Sequence, residues 1–170
     1  MTRADRENHF EALIRANASD LLAYLERRID PRADAADVLS ETFIIAWKKV
    51  GKAPSDEIGG RMWLFTIARN LLLNARRTTR RRLAATDRLR RELEQSRAGT
   101  DTADTLAVRD AVKQLPADLR ELVELVHWEG FSLVEGARIT GITASTARSR
   151  YAAAKGRMRS ALVEPETSIR

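Results

Sequence analysis

Apolar residues recur along the chain at steps of three and four, and the two-residue alternation of strands is absent, which predicts helices throughout. Phe10, Leu13, Ile14, Leu21, Leu25 and Ile29 form the stripe of a first helix. It should stop at Asp30-Pro31, because the residue before a proline disfavours the α region. A second helix is expected from Asp34, whose carboxylate can cap free amides, through Val38, Leu39, Phe43, Trp47 and Val50 to Gly51. Residues 52–60, rich in Pro, Ser, Asp and Gly, read as a loop. A third helix carries Met62, Trp63, Leu64, Phe65, Ile67, Ala68, Leu71 and Leu72 and runs into an arginine-rich stretch.

From 79 to 104 apolar residues thin out, so this stretch reads as an interdomain linker whose first half is still composed of good helix formers. Beyond it, Val108, Ala111, Val112 and Leu115 predict a short helix closed by Pro116, which opens the next. There Leu119, Leu122, Val123 and Val126 are expected to face inward, with Gly130 ending the helix. Ser132 and Glu135 are spaced as a capping box, each side chain reaching the other's backbone amide at a helix start. Gly136 inside that helix costs about 1 kcal/mol. Gly141 permits a sharp turn, Thr143 caps again, and a longer helix follows through Tyr151 and Met158. Two helices joined by a glycine turn read as helix-turn-helix. The fold class is all-α: two small helical domains, 8–80 and 105–162, joined by a flexible linker at 81–104.

Composition narrows the chemistry. The 170 residues hold 30 Lys+Arg against 24 Asp+Glu, a formal +6. Cuts after residues 60, 97 and 130 give blocks of −2, +8, −4 and +4, which make up that +6. Such segregation suits separate surfaces for a polyanion and for a second partner. No apolar run approaches the roughly 20 residues of a membrane-spanning helix, and the polar, acid-bearing start is unlike a secretory or transit signal. The expected location is cytoplasmic, with no membrane association. Without cysteine there is no disulfide or thiol nucleophile, and His9 and His127 stand far apart, which leaves no metal site. No catalytic constellation accompanies the scattered carboxylates. The expected function is recognition, without enzyme activity or cofactor.

Three segments together resemble the RNA polymerase sigma factors of the extracytoplasmic-function type. Asp34-Ala-Ala-Asp-Val-Leu-Ser-Glu-Thr-Phe43, followed by Ala46-Trp47, is similar to the helix by which that family meets the β′ clamp helices of core polymerase. Trp63-Leu-Phe-Thr-Ile-Ala-Arg-Asn70 resembles its helix for melting and reading the minus-ten element. Leu115-Pro116, Glu129-Gly-Phe-Ser-Leu-Val-Glu135 and Gly141-Ile-Thr-Ala-Ser-Thr-Ala-Arg-Ser-Arg150 resemble its minus-thirty-five reading region. The resemblance covers most of the chain, and three segments in the family's order are more specific than any one. Ala36, Ser40, Gly136, Ala152 and Ala153 depart from the family's usual residues. The resemblance implies core RNA polymerase (β′ clamp helices and β flap) and promoter DNA as partners, leaves open an anti-sigma factor, and offers no further C-terminal regulatory domain.

Site residues follow from the resemblance and from side-chain chemistry. Asp37, Ser40, Glu41 and Phe43 are the expected polymerase-binding residues; on periodicity alone Asp37 and Glu41 would be a solvated face with mild repulsion. Arg61, Trp63, Arg69, Asn70, Arg76 and Arg77 are the expected minus-ten residues, together with the loop at 52–60. An aromatic ring and an amide beside a loop suit a flipped base, and arginines suit phosphates. The run Arg76, Arg77, Arg80, Arg81 and Arg82 either solubilises the linker or releases counterions on binding DNA. Helical spacing alone would place Phe43, Trp47, Trp63 and Phe65 in a core. For the minus-thirty-five element, Thr143, Ser145 and Thr146 cluster at a helix start, where hydroxyls and amides can meet a phosphate. Arg148 and Ser149 are expected to read bases, Arg150 and Lys155 to hold phosphates, over a buried stripe of Ile142, Ala147, Tyr151, Ala154 and Met158. His9 and His127 are expected to have no role. A second reading, a self-standing helix-turn-helix regulator with an N-terminal dimerisation bundle, shares the C-terminal half of these observations. Such a regulator would bind duplex by itself as a dimer, whereas a sigma factor needs core polymerase.

Overall fold

The computed structural model describes residues 2–83 and 103–163, with the side chains of 2–75 and 106–163. Seven α-helices and two 3-10 turns make up these residues, with no strand among them. They divide into two units, one built on α1 (Arg3–Glu26), α2 (Ala35–Lys49) and α3 (Glu57–Leu83), the other on α4 (Ala103–Lys113), α5 (Ala117–His127), α6 (Leu133–Thr140) and α7 (Ala144–Val163). The linker expected at 81–104 falls mostly outside the described residues: 81–83 continue α3 and 103–104 begin α4.

In the first unit α1 starts earlier than its apolar stripe suggests. Thr2 and Asp5 form a reciprocal cap, the Thr2 amide donating to Asp5 Oδ2 at 2.7 Å and the Asp5 amide to Thr2 Oγ1 at 3.1 Å. The helix also ends short of Asp30, at Glu26, and Ile29 lies in the turn beyond it. Arg28 closes this end, its guanidinium donating to the Tyr24 carbonyl at 3.0 Å and lying 3.9 Å from the centre of the Tyr24 ring. Basic groups satisfy orphan carbonyls at helix ends in this way.

Asp34 does not cap α2. It sits in the 3-10 turn Arg32–Asp34 with α-type dihedrals and makes no side-chain capping bond, whereas a capping residue needs extended backbone. The buried seam of α2 is Ala35, Thr42 and Ala46, with Val38, Leu39 and Phe43 half-buried. Small residues let this helix pack closely on α1 and α3, and the Thr42 hydroxyl is satisfied by the Val38 carbonyl at 2.7 Å. A 3-10 turn over Val50–Lys52 follows, so Gly51 lies one turn past the α-helix.

The loop expected at 52–60 is much shorter, because α3 begins at Glu57. Asp56 caps it, accepting the Gly59 amide at 2.7 Å. The two glycines are there for room. A Cβ on Gly60 would lie 2.7 Å from Leu13 Cδ1, and one on Gly59 would lie 2.5 Å from Asp56 Oδ2. Leu21, Tyr24 and Leu25 of α1 and Leu64, Phe65, Ala68 and Leu72 of α3 then close the core, with Tyr24 and Phe65 edge to face at 5.2 Å.

In the second unit Val112, Leu115, Leu119, Val123 and Ala154 form one cluster, flanked by Tyr151 and Met158. Leu122, Ala137 and Ala147 form another, flanked by Leu133 and Ile142. Leu125 is fully buried, while Val126, expected inward, is half-buried. Arg120 donates to the carbonyls of Lys113 and Leu115, closing the end of α4. Gly141, with φ of +72°, is the left-handed cap that ends α6, whereas α5 ends at His127 with Trp128 as its cap, and Gly130, also at +72°, lies two residues beyond that cap in the turn. The capping box forms as expected, with Ser132 N to Glu135 Oε2 at 2.7 Å and Glu135 N to Ser132 Oγ at 3.3 Å.

Candidate functional site

Asp37, Ser40 and Glu41 are all exposed on α2, and Ile44, 54% exposed, continues their face at the next turn. Neither acid is in an ion pair among the described residues, and Ser40 donates to the Ala36 carbonyl at 2.9 Å. Phe43 is half-buried beside this face. Trp47 is 41% exposed rather than core, with Phe10 packed edge-on against it at 5.2 Å. This face of α2 thus sets two acids in no ion pair among the described residues beside exposed Ile and Trp side chains.

On α3, Trp63 is half-buried and Asn70 exposed. Seven residues apart, they lie within about 20° of each other around the helix. Thr66, one turn after Trp63, donates to the Met62 carbonyl at 2.8 Å. Arg61 points elsewhere: its guanidinium meets Asp20 of α1 at 2.9 Å and lies 5.1 Å from the Phe65 ring centre. Arg69 is half-buried. Phe65 is fully buried and belongs to the core. The backbone of Arg76 and Arg77 continues α3, but their side chains, and those of Arg80, Arg81 and Arg82, lie outside the described residues.

On α7 the expected buried stripe forms, with Ala147 and Ala154 fully buried and Ile142, Tyr151 and Met158 half-buried. Arg148 and Ser149 face outward, together with Ser145 and Ala152. Arg150 is half-buried and meets Asp118 of α5 at 3.4 Å. Thr143 spends its hydroxyl on the helix start, accepting the Thr146 amide at 3.1 Å and sharing a bond with the Thr146 hydroxyl at 2.9 Å. Lys155 is exposed, its ammonium 5.2 Å from the Tyr151 ring centre. His127, expected to be idle, bonds the Tyr151 hydroxyl through Nε2 at 2.7 Å and stacks on that ring. It therefore ties the end of α5 to α7.

Asp20, Asp118 and His127 are the residues that sequence reasoning missed. Each acts across 24 or more residues of chain, beyond any local pattern. Among the described residues there is no cluster of three metal-binding side chains and no helix long and apolar enough to cross a membrane.

Comparison with known proteins agrees with this arrangement. Residues 13–82 match the family described as Sigma-70 region 2, and residues 105–158 that described as Sigma-70, region 4. The ECF RNA polymerase sigma factor SigL of Mycobacterium tuberculosis is 32% identical over 142 residues, covering 82% of this chain and 80% of the relative. The RNA polymerase sigma factor CarQ of Myxococcus xanthus is 32% identical over 171 residues, covering 98% and 97%. Among solved structures, the sigma factor RpoE of Bartonella quintana, in complex with the anti-sigma factor NepR, aligns with a TM-score of 0.62 at 27% identity, covering 90% of this chain and 96% of that one. With a region 2 unit, a helix-turn-helix region 4 unit and relatives matched along most of their length, the chain belongs to the RNA polymerase sigma factors of the extracytoplasmic-function type, which initiate transcription without enzyme activity of their own.

Proposed function

We propose that this sigma factor docks on core RNA polymerase through the outer face of α2 and places α3 on the minus-ten element and α7 on the minus-thirty-five element. The observation that carries the docking is the uncovered face of Asp37, Ser40, Glu41 and Ile44, a mixed acid and apolar surface that its own unit leaves without a partner. Its complement is a basic, apolar helical surface, and the β′ clamp helices are the partner that the family resemblance implies. Melting then needs a receptor for an unstacked base. Trp63 supplies a ring, and stacking on an aromatic is worth about 1–3 kcal/mol per base. Asn70, on the same face, offers a donor and an acceptor to the base edge. Extruding a base costs a few kcal/mol, so stacking and edge contacts together are of the size required.

In the second unit, Arg148 and Ser149 are the outward side chains early in α7, the part of a recognition helix that reaches base edges. Lys155 lies two turns on, free to meet phosphate. Arg150 is divided between Asp118 and any DNA contact. The β flap of polymerase is the further contact for this unit, and the RpoE complex points to an anti-sigma protein as a regulatory partner. The site of action is the cytoplasm, where core polymerase and promoters are.

The test is core binding by Asp37→Lys/Glu41→Lys. Both side chains are exposed, so helicity should be unchanged while co-purification with core polymerase falls. A double variant that co-purifies as well as the parent would show that the face is not the docking surface.

A further inference from the structure

Where the start of α1 meets the end of α2, Arg3, Arg6, Trp47, Lys48 and Val50 line an open pocket of about 450 Å³. Its charges are unequal in availability. Arg3 is held by Glu7 at 2.8 Å, so that pair is close to neutral. Arg6 and Lys48 are exposed and in no ion pair among the described residues. The positive end of α1 and the negative end of α2 contribute about half a charge each and offset one another. Two uncompensated cations therefore remain, over the exposed ring of Trp47, which Phe10 fixes in place by edge-on packing.

We propose that this pocket is a second docking element for core polymerase and receives a carboxylate, the side chain of an acidic residue flanked by an apolar one. The proposal rests on the reading of α2 as the docking helix. Asp37, Glu41, Ile44, Trp47 and Lys48 follow one another along α2, and from Asp37 to Lys48 is about 16 Å at 1.5 Å per residue. The surface thus passes from acidic through apolar to basic, and its complement is a segment that passes from basic through apolar to acidic. A nucleic-acid strand fits less well. Glu41 lies about 10 Å along the helix from Lys48, comparable to the Debye length of about 8–10 Å at 0.1–0.15 M salt. A run of phosphates continuing past the pocket would meet the two acids, whereas a single carboxylate would not. Mixed polarity also fixes register, since a partner shifted or reversed along α2 places like charges together.

The experiment measures the affinity of full-length protein for core polymerase, and promoter opening by the resulting holoenzyme, for Arg6→Glu/Lys48→Glu beside Asp37→Lys/Glu41→Lys. The account predicts that the Glu variant loses about tenfold or more in core affinity, with helicity by circular dichroism unchanged. Should it lose helicity, Arg6→Gln/Lys48→Gln replaces it, with a loss of at least about threefold expected. If the Glu variant binds core within twofold of the parent while the Lys variant is impaired, the pocket is not a docking element and the α2 reading stands. If both bind normally, the α2 reading fails and the pocket proposal with it. Normal core binding with lost promoter opening would assign the pocket to nucleic acid and overturn the proposal.

Discussion

Arg61 and Trp63 stand two apart on α3 and so leave the helix about 200° from one another. Only Trp63 shares a face with Asn70; Arg61 turns toward α1 and meets Asp20. Their substitutions should therefore separate. Asn70→Ala is expected to slow promoter opening, followed by permanganate reactivity of unpaired thymines, about tenfold. Arg61→Ala should leave opening intact and lower stability in urea by no more than about 1 kcal/mol, as a partly exposed ion pair allows. Opening that fails in a fully stable Arg61→Ala protein would return Arg61 to the DNA. On α7 a similar division holds. Arg148→Ala should cost about 1–3 kcal/mol and relax selection at one base position, while Lys155→Ala weakens binding alike on all sequences and lowers the salt slope by about one. Equal losses on every minus-thirty-five sequence for Arg148→Ala would make it a phosphate anchor. Residues with a local signal, such as Ser132, Glu135 and Thr143 at helix starts, were legible in the chain. Asp20, Asp118 and His127 were not, because a partner 24 to 41 residues away leaves no periodic trace.

Elements were legible wherever a cap and a stripe agreed. The Ser132 and Glu135 box and the left-handed Gly141 frame α6 as expected, and Gly136 inside it does no visible harm. A Cβ there would lie 3.7 Å from Leu122 Cδ2, an ordinary contact. Gly136→Ala is accordingly expected to stabilise the second unit by about 0.5–1 kcal/mol, measured by urea unfolding, and a loss of stability would show that α5 and α6 need the closer approach. The start of α3 was misread because glycine is a turn signal in sequence, yet Gly59 and Gly60 lie in a helical turn against Asp56 and Leu13. The seam of α2 was misplaced for a related reason: Ala35, Thr42 and Ala46 are weak signals beside Phe43 and Trp47, although small side chains are what close packing selects. The start of α1 adds a dependence on pH. The Thr2 amide, and then the Thr2 hydroxyl, hold the Asp5 carboxyl below its ordinary value. A depressed carboxyl stabilises the folded form above its unfolded pKa and loses that contribution as pH falls. Amide exchange in the first turn of α1 should therefore quicken, relative to mid-helix amides, as pH is lowered below about 4; no change would mean the cap does not depend on the charge.

For the molecule as a whole, the four charge blocks along the chain correspond to its division of labour. The first block carries the α2 face proposed for docking, and the +8 block from 61 to 97 holds most of α3 and the arginines that follow it in the sequence. The last block, at +4, holds α7, the helix proposed to read the minus-thirty-five element. Two units and an all-α fold could be read from the chain because helices announce themselves by period and caps. Which outward faces serve partners could not be read from period alone, since a solvated face and a docking face have the same spacing; the structure adds that Ile44 and Trp47 are exposed beside the acids of α2. The match of residues 13–82 to region 2 removes the reading as a self-standing helix-turn-helix regulator. The central claim is that this chain gives core polymerase its promoter choice, and transcription in vitro from a promoter library, with core polymerase in the presence and absence of the protein, measures that directly. The account predicts that only the reaction with the protein starts at defined sites, and that those sites share spaced minus-thirty-five and minus-ten elements. Initiation that is the same in both reactions, or that shows no shared elements when the protein is present, would contradict it.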